Sequence, residues 1–153
     1  MDVEFAGEKA NLTDVAACIG RGQLKRLEQF TDRRRRLAER YFRHLDPDWG
    51  IQLPPRDFGN SNWHMFQALL PAGADRGRFI RAMRERDIGI GVHYPAMHLF
   101  TLYRKMGYRQ GQFPHAERAG ASIVTLPLFP AMAEEDVVRV CNALPQALAE
   151  ARA

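Results

Sequence analysis

The sequence predicts an α/β (α+β) domain in which a long N-terminal helix leads into a small sheet covered by helices. Two patterns and their punctuation carry this. Apolar residues recur at helical spacing over residues 12–45, 75–86 and 133–151, and short stretches rich in aromatic and β-branched residues stand between them. Pro, Gly, Asn and Asp gather at the joins.

The helix over 12–45 takes Asn11 or Thr13 as its cap and places Asp14 at the positive end of the dipole. Its apolar stripe is Val15, Ile19, Leu24, Leu27, Leu37 and Tyr41. Gly20 and Gly22 weaken the second turn, and Asp46-Pro47-Asp48 stops the helix. Residues 49–61 read as a loop, "NWHMFQALLP" (62–71) as a strand, and 75–86 as a helix with Phe79, Ile80 and Met83 inward. In "DIGIGVHY" (87–94), Ile88, Ile90 and Val92 alternate with period two, which predicts a second strand. A short, broken helical segment follows between Pro95 and Tyr108. The chain ends with a helix over "FPHAERAGASI" (113–123), a strand over "VTLPLFP" (124–130) and a closing helix over 133–151.

At 153 residues the chain is long enough for one domain with its own core. Its 46% hydrophobic and 26% charged residues suit a globular protein, and no apolar run reaches the ~18 residues of a membrane helix. The start "MDVEFAGEKANLTD" carries acids where an export signal is basic and then apolar, so a cytoplasmic location is expected. A net charge of +4 favours an anionic partner. The run Arg33 to Arg36 has Asp32 and Glu39 within helical reach, and reads as a solvated helix face in preference to a nucleic-acid patch. Cys18 and Cys141 lie among apolar helical residues and read as small buried hydrophobes, not as a disulfide or a metal clip.

The stretch "GIGVHYPAMH" (89–98) holds the most unusual polar pattern. His93 and His98 stand five apart with Pro95 between them, so one helix cannot present both to a metal, and no third ligand of matching type is near. No Gly-x-Ser-x-Gly elbow supplies a nucleophile. Composition alone gives both histidines ordinary roles in a pocket or interface. "GEKANLTD" (7–14) is open to two readings: a plain N-cap, or an anion site where Lys9, Asn11 and Thr13 surround a phosphate at a helix start. "CIGRGQ" and "GIGVH" lack the spacings of phosphate-binding glycine loops. The polar groups around Asn11 and around His93–His98 have no evident partner in the chain, as expected if another domain or subunit faces them.

Five stretches occur in series: "NLTDVAACIGRGQLKRLEQFTDRRRRLAERY", "NWHMFQALLP", "FIRAMRERDIGIGVHYPAMHLFTLYRKMGY", "FPHAERAGASIVTLPLFPAM" and "EEDVVRVCNAL". Together, from about Gly7 to about Leu148, they resemble the C-terminal part of the DegT/DnrJ/StrS family of sugar aminotransferases that use pyridoxal 5'-phosphate (PLP). The nearest branch aminates 4-keto sugars on nucleotide carriers.

The resemblance implies the small C-terminal domain of a type I PLP aminotransferase. Residues 1–11 would form an interface and cofactor-phosphate loop, and 12–153 the domain itself. It implies a homodimer, or a complementing N-terminal PLP domain, with a nucleotide-sugar substrate and an amino-acid donor such as glutamate. By position, Lys9 and Asn11 meet a partner's PLP phosphate, with Asn11 the closer match. His93, Tyr94 and His98 border the substrate side of the pocket, with His98 matching the family's recurring histidine. The family's cofactor lysine and the carboxylate opposite the pyridinium nitrogen lie in the large domain. The only lysines here are Lys9, Lys25 and Lys105, none in a Ser-x-x-Lys setting. Half of an enzyme, inactive alone and without catalytic residues of its own, is therefore expected. A non-catalytic dimerisation or interaction module on the same fold is the alternative.

Overall fold

A computed structural model describes residues 11–152. The element order is α1 (Asp14–Leu24), α2 (Leu27–His44), a 3-10 turn (Pro47–Trp49), β1 (Phe66–Leu69), α3 (Arg76–Arg84), a second 3-10 turn (Met97–Leu99), α4 (Thr101–Lys105), α5 (Pro114–Ser122), β2 (Ile123–Leu126) and α6 (Glu134–Arg152). The small helix-covered sheet matches expectation.

The long first helix does not run unbroken. It parts at Lys25 and Arg26, where Arg26 N–H turns back to Gln23 O in a tight turn and Arg26 leaves helical geometry at φ −107, ψ 2. Gly20 and Gly22, each costing about 1 kcal/mol against alanine inside a helix, leave the preceding turn weak. The two pieces also have different surroundings. Leu37, Ala38, Tyr41 and Phe42 of α2 are buried, whereas α1 buries nothing.

The core lies where α6 packs on α2 and α3. Leu37, Tyr41, Phe79, Met83, Val137, Cys141 and Leu144 are fully enclosed there, with Phe66 and Val124 of the sheet. Tyr41 and Phe66 meet at 4.7 Å, and the Tyr41 hydroxyl donates to Pro127 O at 2.8 Å, so its one polar atom is satisfied. Burial pushes that phenol far above its ordinary range. Pro145 sits inside α6, which nonetheless stays helical to Arg152.

β1 and β2 pair antiparallel, Phe66 opposite Leu126 and Leu69 opposite Ile123. Single bridges extend the layer on each side, Gln52 to Leu69 and Gly91 to Thr125. The segment 87–94 is thus not a strand, contrary to its alternating pattern. Asp87, at φ +56, closes α3 while Ile88 N–H bonds back to Met83 O. Only Gly91 then joins β2, exchanging both backbone bonds with Thr125. The predicted strand over 62–71 shortens to Phe66–Leu69, because Ser61 Oγ and Asn62 Oδ1 take the N–H groups of Trp63 and His64 in local turns. The strand over 124–130 becomes Ile123–Leu126.

Candidate functional site

Two places match the expected polar stretches. The first is the head of α1. Thr13 caps the helix, its hydroxyl accepting from Ala16 N–H at 3.2 Å. Asn11, Leu12, Thr13 and Asp14 wall an open concavity of about 460 Å³. The first-turn N–H groups and the Asn11 amide offer an anion hydrogen-bond donors, while Asp14 opposes it. These residues fit the phosphate end of a cofactor such as PLP and no more of it. Lys9 lies outside the described residues.

Behind this head, α1 presents Val15, Ile19 and Leu24 to solvent, Val15 at 73% exposure, and Leu12 in the head is exposed as well. Cys18, expected to be buried, is exposed on the same helix. Cys141 is enclosed in the core, and burial pushes its thiol up to about 12, which removes it as a nucleophile near neutral pH.

The second place is the segment from Gly91 to Phe113. His93 Nδ1 lies 3.0 Å from Thr125 Oγ1 on β2, and its backbone oxygen accepts from the Gln67 amide on β1. Gly91 makes room for this ring, since a Cβ there would stand 2.7 Å from His93 Cε1. The Tyr94 ring packs edge-on against His93 and is 68% exposed. Both therefore sit at a surface beside the sheet.

His98 is turned differently. It is buried, with Nε2 2.9 Å from Glu117 Oε1 and its ring edge-on to Phe113. Glu117 also accepts from the backbone N–H groups of Gly111, at 2.8 Å, and Phe113, at 3.3 Å. Burial pushes its carboxyl upward, but the His98 bond, the two backbone donors and the charge of His98 outweigh this and hold it below the usual range. The two histidines thus have separate partners on separate elements. Among the described residues no cluster of three His, Cys, Asp or Glu side chains could hold a metal.

Sequence reasoning passed over Glu117. Pro114 at the first helical position and an acid in the first turn mark a helix start, but not the reach of that acid to His98. The arginine run was also only half legible: Arg33 is pinned to Glu134 and to Met132 O, so the run is not a uniformly solvated face.

The model of the DegT/DnrJ/EryC1/StrS aminotransferase family matches residues 1–145. SpsC, the spore coat polysaccharide biosynthesis protein of Bacillus subtilis, is 34% identical over 149 residues, covering 94% of this chain and 38% of that protein. The aminotransferase TlmJ of Streptoalloteichus hindustanus superposes with a TM-score of 0.81 at 33% identity, over 97% of this chain and 40% of that one. The PLP form of Spr1654, a proposed sugar aminotransferase of Streptococcus pneumoniae, gives a TM-score of 0.88 at 23% identity, over 98% and 39%. The chain spans about two fifths of the length of the curated relatives it matches. The chain belongs to the DegT/DnrJ/EryC1/StrS aminotransferase family.

Proposed function

We propose, from that family membership, that this chain is the C-terminal portion of an aminotransferase that moves an amino group from an amino acid to a nucleotide-linked keto sugar for amino-sugar and polysaccharide biosynthesis in the cytoplasm. One observation carries the reading: α1 leaves Val15 and Ile19 in solvent while its head presents Asn11 and Thr13. A helix with an unpartnered apolar face and an anion-ready start suits a surface that a cofactor-bearing domain or a second copy covers. PLP, when bound, supplies the electron sink for amino transfer. In this reading Asn11, with Lys9, holds the cofactor phosphate of a partner. His93 and Tyr94 border the sugar pocket, and His98 anchors that border through Glu117.

The test combines the 153-residue chain with a family domain carrying the cofactor lysine, and follows PLP absorbance and transamination. The expected result is an assembled, active PLP site in which Asn11→Ala weakens PLP binding about tenfold, the scale of one hydrogen bond to a charged group. An active site whose PLP affinity ignores Asn11→Ala would sink the phosphate assignment. The same apolar face also suits a non-catalytic dimerisation module. Assembly without any PLP retention would favour that alternative.

A further inference from the structure

The sheet turns one face to the core through Phe66, Ala68, Val124 and Leu126, so Gln67 and Thr125 stand on the other. Thr125 is the middle of three residues in a row. Gln67 pairs with it across β1, and Gly91 pairs with it on the opposite side. Directly opposed residues of antiparallel segments share a face, so all three positions address the same space. His93 fills that space. The Gln67 amide donates to His93 O, and Thr125 Oγ1 lies 3.0 Å from His93 Nδ1. A Cβ at Gly91 would stand 2.7 Å from His93 Cε1 and 3.1 Å from Nδ1, so the imidazole occupies the room a side chain would need.

This arrangement decides where the proton of a neutral His93 sits. Thr125 is 9% exposed, and among the described residues its hydroxyl has no hydrogen-bond partner other than His93 Nδ1. A buried hydroxyl proton left without an acceptor is costly, so the hydroxyl donates and Nδ1 accepts. In neutral imidazole one ring nitrogen accepts and the other carries the proton, which places it on Nε2. Nε2 makes no hydrogen bond among the described residues and is not closed off from solvent. The ring therefore shows its surroundings an N–H donor and no free lone pair. Such a ring can hold an oxygen acceptor but cannot take a proton from it.

We propose that Thr125 is a positioning residue that holds His93 in its Nε2–H form, so that His93 donates a hydrogen bond to an oxygen of the sugar and does not act as a base. The hold on His93 rests on this chain's own geometry. The sugar as acceptor rests on the reading of His93 as a border of the sugar pocket.

Nitrogen-15 NMR of the 153-residue chain at pH about 9, where imidazole is neutral, reads the tautomer directly. The His93 signals are those missing from His93→Gln. The expected result is an unprotonated Nδ1 and a protonated Nε2, kept in Thr125→Ser, which retains the hydroxyl. Thr125→Val should shift the tautomer ratio about fivefold toward Nδ1–H, the scale of one hydrogen bond. A merely structural threonine would change stability and leave this ratio alone. Circular dichroism identifies a valine variant that does not fold, and the parent and serine spectra then decide. A protonated Nδ1 or an even mixture in the parent overturns the proposal, as does an unmoved ratio in folded Thr125→Val. In the active complex with a cofactor-bearing family domain, Thr125→Val should raise KM for the keto sugar about fivefold and leave kcat unchanged, as the loss of a binding contact does. A fixed tautomer with KM unmoved overturns the donor role and the pocket reading together. A mixed tautomer overturns the hold of Thr125 and leaves the pocket reading in place.

Discussion

Glu117 organises more of the segment from His98 to Phe113 than any residue whose chemistry stands out in the sequence. One carboxylate gathers the His98 ring and the backbone N–H groups of Gly111 and Phe113. Its carboxyl is held below the ordinary range in the folded chain. The unfolded state then binds the proton more readily, so this contribution is present above the unfolded value of about 4.3 and fades as pH falls through the lower folded value. Glu117→Gln should lower the melting temperature at neutral pH and flatten its decline on the acid side of pH ~4. Equal acid declines in parent and variant would deny Glu117 this role. Gly120 governs the same region sterically. A Cβ there would run into the backbone N of Ala96, so α5 can lie against Pro95 and Ala96 only with glycine at this point. Gly120→Ala should cost about 1–3 kcal/mol in chemical denaturation, the usual cost of overpacking against backbone.

Among the elements, α1 and α2 differ in what holds them, although their sequence periodicity is alike. Leu37 of α2 is fully enclosed where α2 meets α6, whereas Ile19 of α1 lies in water. Leu37→Ala should lose about 2–5 kcal/mol in chemical denaturation, the range for a large-to-small core change. Ile19→Ala should stay within about 0.5 kcal/mol of the parent, as surface changes do. This contrast shows what periodicity reports. The spacing of Leu37 and Tyr41, or of Phe79 and Met83, marks a face that must be buried, and here the chain itself buries it. The spacing of Val15 and Ile19 marks the same need but does not say which molecule meets it. The segment 87–94 has a related ambiguity. Its alternation places Ile88 inward, but only Gly91 reaches a neighbouring strand, because pairing depends on where Thr125 lies after folding. At the candidate site, the helix start capped by Thr13 could be read from the sequence. The turn of His98 toward Glu117 could not, since it depends on how α5 packs against the preceding loop.

For the whole molecule, the consequence is a stability that is unequal from one end to the other. The α2–α3–α6 core has its own enclosed apolar residues, whereas α1 is an 11-residue helix with no buried side chain. Helices of that length are marginal in water without tertiary packing. Native-state hydrogen exchange should therefore be fast across α1 and slow across α6, because α1 can open without disturbing the core. If a cofactor-bearing domain or a second copy covers the Val15–Ile19 face, assembly should slow exchange in α1 while leaving α6 unchanged. The double substitution Val15→Asp and Ile19→Asp should abolish that gain and the assembly together, with the melting temperature of the chain alone unmoved, since neither side chain takes part in its core. An α1 as strongly protected as α6 in the isolated chain would mean that the chain holds this helix unaided, and its apolar face would no longer imply a partner.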